Sequence, residues 1–140
     1  MTRFDASTPV ERRKLYVDAI TAHRERASGF LTLEADDTVS EERDDTAEQS
    51  AAELGVPWIQ FGDGTVNLDC TDAELEALKD LLEDFPAFKI DDLTRPEDAA
   101  GINVRVSAKA DANRIAQFID DVFLEVYDLP STVRIWLVDV

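Results

Sequence analysis

The hydrophobic and polar positions of this chain change period several times, and each change marks an element. Between Glu11 and Ala27 the apolar stripe Tyr16, Ala19, Ile20, His23 and Ala27 recurs at helical spacing. Thr8 stands where an N-cap belongs, Pro9 suits the first helical position, and Gly29 ends the segment. Phe30 to Leu33 alternates as a short strand. From Ala35 to Glu53 hardly a large apolar residue occurs, so residues 35–53 read as a flexible acidic loop, with a helical turn near Ala47 to Leu54 that Gly55 closes.

The strongest local signal follows. Trp58 to Phe61 and Thr65 to Cys70 alternate on either side of Gly62-Asp63-Gly64, which predicts a hairpin closed by an Asp-Gly turn. Thr71 and Glu74 have the spacing of a capping box, and Leu75, Leu78, Leu82 and Phe85 mark the buried side of the helix they open, which Pro86 stops. Phe88 to Leu93 reads as a strand, Thr94 to Gly101 as a connection, and Ile102 to Ser107 as another strand. Asp111 opens a helix whose inward positions are Ile115, Phe118, Ile119, Val122 and Val126, closed before Pro130, and Val133 to Val140 is a β-prone end.

From Thr65 onward the order strand, helix, strand, strand, helix, strand predicts an α+β fold with an antiparallel sheet of ferredoxin-like, split β-α-β order. The first helix and the hairpin are additions to it. An amphipathic extra helix is expected to cover the sheet face that the two later helices leave open. The whole chain, residues 1–140, is expected to form one domain, since 44% hydrophobic residues suffice for a core of that size.

Alternation also sorts side chains between faces. Ile59, Phe61, Val66, Leu68, Phe88, Ile90, Ile102, Val104, Val106, Ile135 and Leu137 point toward the later helices. The other face collects Trp58, Gln60, Asn67, Lys89, Asn103, Arg105, Ser107, Arg134 and Trp136. This set reads as locally basic and aromatic. Trp and Arg are the residues most enriched at binding hot spots, so Trp58, Lys89, Arg105, Arg134 and Trp136 are the candidate ligand or partner-binding residues. The bland reading is that the first helix lies over them, with Tyr16 and Ile20 packed on the two tryptophans. A ferredoxin-like sheet with aromatics and cations on its open face resembles the RNA-recognition fold. The segment Gly101 to Ser107 lacks that module's aromatic signature, so the resemblance is one of topology.

Charge changes the picture. The 31 acidic residues against 14 basic ones give a formal net charge of -17. Only Lys14, Lys79, Lys89 and Lys109 are lysines, the remaining cations being arginines. Acid excess with few lysines resembles the proteins of haloarchaea, short uncharacterised ones among them, whose cytoplasm is rich in potassium chloride; the resemblance is compositional and carries habitat alone. Near 1 M salt the Debye length is about 3 Å, which screens the self-repulsion.

His23, the lone histidine, sits beside Arg24 and Arg26 and is a candidate base or anion contact, more simply a packing residue. Cys70, the lone cysteine, excludes an intrachain disulfide and is expected to be buried and inert. The pairs Asp36-Asp37, Asp44-Asp45, Asp91-Asp92 and Asp120-Asp121 lack calcium-loop spacing and are expected on solvated surface. Gly62-Asp63-Gly64 lacks the helix and lysine of a phosphate loop. No cofactor, metal or catalytic motif emerges, and no apolar run or leader points to a membrane, so a cytoplasmic location is expected. The leading expectation is a non-enzymatic interaction or regulatory domain, homodimeric or with a protein partner; the alternatives are a binder or small enzyme holding an anionic ligand between the first helix and the sheet through His23, Arg105 and Arg134, and a single-stranded nucleic-acid binder using the sheet face.

Overall fold

A computed structural model describes residues 5–26, 30–36, 57–95 and 101–139. The acidic loop anticipated at 35–53 and the helical turn within it lie outside these residues, apart from Ala35 and Asp36. The elements run β1 (Asp5–Ala6), α1 (Pro9–Arg26), β2 (Leu31–Ala35), β3 (Trp58–Gly62), β4 (Thr65–Cys70), α2 (Asp72–Leu82), β5 (Lys89–Thr94), β6 (Ile102–Ser107), α3 (Ala112–Asp121), a π-helical turn over Val122–Val126, and β7 (Ile135–Asp139). The fold is α+β, with every strand pair antiparallel in a seven-stranded sheet of order β1-β7-β2-β3-β4-β6-β5.

Local chemistry accounts for most boundaries. The Thr8 hydroxyl accepts from the Glu11 N–H at 3.3 Å and donates to the Glu11 carboxylate at 3.1 Å, which starts α1. At α2 the Thr71 hydroxyl accepts from the Glu74 N–H at 3.2 Å, and the Glu74 carboxylate accepts from the Thr71 N–H at 2.8 Å, a reciprocal cap. Asp111 caps α3 through the Arg114 N–H at 2.8 Å. The β3–β4 turn holds Asp63 at φ 51° and Gly64 at φ 73°, the left-handed pair that a two-residue hairpin of right-twisted strands requires.

The strand order departs from the ferredoxin-like one at a single place. There β7 would lie directly against β4, but β3 and β2 stand between them. The reason is loop closure. A two-residue turn brings β3 to the edge of β4 at small entropic cost, whereas β7 follows by some sixty residues and takes the next edge left, on β2.

All three helices pack on one face of the sheet. Its apolar side, Leu31, Leu33, Ile59, Phe61, Val66, Leu68, Cys70, Ile102, Val104, Val106 and Ile135, is buried, with Ile90, Leu93 and Leu137 partly so. Leu93 reaches this side because Asp91 bulges from β5, which shifts the register between Ile90 and Asp92. Phe85, Phe88 and Phe118 meet with ring centroids 5.0 to 5.3 Å apart and tie α2 to α3. The π-helical turn, closed by the Tyr127 N–H on the Val122 carbonyl at 3.1 Å, lets Phe123, Val126 and Tyr127 all face inward.

The expected position of α1 is overturned. It does not cross the other sheet face; it lies beside α3 in the helix layer, with Tyr16 against Phe123 and His23 edge-on to Phe61 at 5.7 Å. The stripe reads Arg12, Leu15, Tyr16, Ala19, Ile20 and His23, all buried. The anchor is Arg12. Its Nε donates to Asp120 at 2.7 Å, and its Nη1 donates to the Ser131 and Val133 carbonyls at 2.7 and 3.0 Å. Tyr16 adds its hydroxyl to the same carboxylate at 3.2 Å. A guanidinium must leave water with partners or not at all, and its partners lie on α3 and on the lead-in to β7.

Candidate functional site

With the helices on one side, no described helix covers the opposite sheet face. Directly paired residues on neighbouring strands share a face, so the register lays out its rows. One row runs Asp5, Trp136, Glu34, Trp58 across β1, β7, β2 and β3. The next runs Thr32, Gln60, Asn67, Arg105, Asp92 across β2, β3, β4, β6 and β5. On the far strands Thr65, Ser107 and Lys89 form one short row, and Asp69, Asn103 and Thr94 another.

The structure therefore brings Trp58, Lys89, Arg105 and Trp136 to one face, and the sequence neighbour Arg134 joins them by its ion pair to Asp5. It separates His23, which is 6% exposed within the helix layer. The sheet lies between His23 and Arg105, so the anion pocket built from both is not assembled.

The face is not basic. Asp5, Glu34, Asp36, Asp69 and Asp92 accompany the three cations. Strand alternation misses Asp5, Glu34 and Asp36 because β1 and β2 were not assigned to the sheet, and Asp92 because the Asp91 bulge turns it outward, whereas Asp69, two positions after Asn67 in β4, falls on this face by alternation alone. Several polar groups are already engaged. Asn103 donates to Asp69 at 3.0 Å, and the Trp136 indole N–H donates to Asp36 at 3.4 Å. Asn67 donates to Gln60 at 3.5 Å, while its own Oδ1 is buried without a partner.

Exposed apolar groups mark the sector around β2 and β7. Among the described residues the exposed large hydrophobics are Val10, Phe30, Trp136 and Val138, and the last three flank that ladder. Phe30 precedes β2, and Val138 is the extra residue where the β2–β7 register shifts.

Other candidates resolve into structure. Asp120, expected on solvated surface, is 6% exposed and paired with Arg12, a buried cluster that sequence reasoning missed although Arg12 occupies the apolar stripe one turn before Tyr16. Burial, together with that carboxylate, pushes the Tyr16 hydroxyl well above its ordinary pKa. Cys70 is buried, and burial, then Glu74 and Asp69, push its thiol up to about 12. The α2 dipole does not offset this, because the N-terminal turn of that helix carries Asp72 and Glu74. A shallow groove of about 330 Å³ between α1 and α3 includes Arg13, Arg114 and Gln117, but Arg114 is held by Gln117, by the Asp84 carbonyl and over the Phe85 ring. Among the described residues no three His, Cys, Asp or Glu side chains are placed to hold a metal ion, and no helix is long and apolar enough to cross a membrane.

Fold and face together define an α+β protein with an antiparallel sheet covered by helices on one side. The chain belongs to the DUF7975 family, a family of unknown function, which it matches over residues 1–140. No curated protein and no solved structure matches it.

Proposed function

We propose that this chain is an interaction domain of a salt-adapted cytoplasm, docking a protein partner on the sheet face that no described helix covers. The observation that carries the reading is that Phe30, Trp136 and Val138, all exposed, lie on or next to the β2–β7 ladder, with Trp136 on that face. Apolar and aromatic side chains that stay in solvent together are what a docked surface removes from water. The habitat rests on the net charge of -17 and on lysines so few beside the arginines.

Charge favours a protein over a nucleic acid here. A single strand whose bases stacked on Trp58 and Trp136 would bring its phosphates to Glu34 between them and Asp36 beside them. The reading is tested by placing a photo-activatable phenylalanine analogue at Phe30, and separately at Lys14 on the exposed side of α1, in cells that make the chain. A discrete adduct formed from position 30 and absent from position 14 is expected. Adducts from position 14 alone would move the docking surface to the helix layer and end this reading.

A further inference from the structure

The centre of that sector has a composition of its own. Glu34 lies in β2 with a tryptophan directly opposite on each neighbouring strand, Trp58 on β3 and Trp136 on β7. Strands are spaced about 4.8 Å apart, so the two indoles spring from positions roughly 10 Å apart with a carboxylate between them. Among the described residues Glu34 makes no hydrogen bond or ion pair. The single indole donor of Trp136 is committed to Asp36, which leaves its ring for contact. Asp5 pairs with Arg134, and Asp5, Glu34 and Asp36 are the described carboxylates around the two aromatic rings.

Resting on the interaction reading above, we propose that the Trp58–Glu34–Trp136 row is the receptor for an arginine side chain presented by a basic segment of a protein partner. Aromatic rings attract a cation over their faces, and a carboxylate between them supplies the counter-charge. Arginine suits the row better than lysine. Its guanidinium is planar, stacks on indole, can take a carboxylate with two N–H groups and is weakly hydrated, so contact survives salt that would screen a lysine held at longer range. A second copy of this chain suits it less: each copy carries -17, and Arg134 is already held by Asp5. Phe30 and Val138, exposed toward the other end of the β2–β7 ladder, call for an occupant larger than a free amine.

The only tryptophans in the chain are these two, so their emission reports directly on the row. The full chain is titrated with capped hexa-arginine, hexalysine and hexacitrulline peptides in about 1 M KCl, where the Debye length is about 3 Å. Hexa-arginine is expected to change the emission and to bind about tenfold tighter than hexalysine, with no response to hexacitrulline. Glu34→Gln is expected to weaken hexa-arginine binding about threefold. Trp136→Leu, read by sedimentation or calorimetry, is expected to weaken it about fivefold. Asp18→Asn, which removes the same charge from the exposed side of α1, is expected to leave it unchanged, and urea midpoints verify that each variant is folded. Equal losses from Glu34→Gln and Asp18→Asn, or equal binding of hexalysine, would reduce the effect to bulk charge and overturn the proposal. A concentration-dependent dimer that Trp136→Leu dissociates would put a second copy on the row; the arginine receptor would then fail while the interaction reading stood.

Discussion

Replacing Arg12 by Met keeps the length and apolar stem of a fully buried side chain and deletes its charge. The Asp120 carboxylate, 6% exposed, would then keep only the Tyr16 hydroxyl, and the Ser131 and Val133 carbonyls would lose their donor. Removing one partner of a buried ion pair costs about 3–5 kcal/mol, because the stranded charge pays its desolvation without return. Whole domains are stable by only about 5–15 kcal/mol, and the loss corresponds to a fall in Tm of roughly 10–20 °C for a chain of this length. Urea unfolding in about 2 M KCl, followed by tryptophan emission, is the appropriate assay, since urea leaves ionic strength fixed and salt screens a buried pair little. Asp120→Asn completes a cycle: the double variant is expected to lose about 2 kcal/mol less than the sum of the single losses. A cost below about 1 kcal/mol for Arg12→Met, or strictly additive losses, would refute the view that this pair fixes α1 beside α3.

Asp121, at the end of α3, has its pKa raised to about 6 by burial first, then by Glu125 and Asp120, with Arg13 and Arg114 opposing. The folded chain therefore holds this proton more tightly than the unfolded chain, whose value is 3.8, and stability from this group falls as pH rises from 3.8 to about 6. Asp121→Asn should be the more stable form at pH above 6, its advantage growing as pH rises through that window; a constant advantage measured by urea unfolding across it would contradict the assignment. At Gly64, φ is 73° and an added Cβ would meet the Lys109 side chain at 3.3 Å, which can yield, so Gly64→Ala should cost about 1 kcal/mol from the backbone alone and Gly64→Asn less. Equal urea midpoints for the alanine variant and the parent would remove that argument. Cys70, with its thiol near 12, should resist a disulfide reagent at pH 8 until urea unfolds the chain, and prompt labelling of the native protein would contradict its burial.

What the sequence determined by itself was local. Asp63-Gly64 specifies the hairpin, because few residues tolerate two successive left-handed conformations. Thr71 with Glu74, and Asp111, start their helices where free N–H groups need acceptors within three residues. The period-two pattern sorts inward residues such as Ile59, Val104 and Ile135 without reference to anything distant. Tertiary structure decided which surface each apolar stripe meets. The stripe of α1 states that one side is buried, but both the open sheet face and α3 could bury it, and the choice falls to Arg12, whose buried guanidinium finds Asp120 only beside α3. The same choice leaves Trp58, Glu34 and Trp136 uncovered by any described helix. Their meeting was not legible either, because it depends on β7 pairing with β2 after the β3–β4 hairpin has taken the edge of β4. Strand neighbours in space are set by competition for sheet edges, and that competition leaves no mark within any single segment.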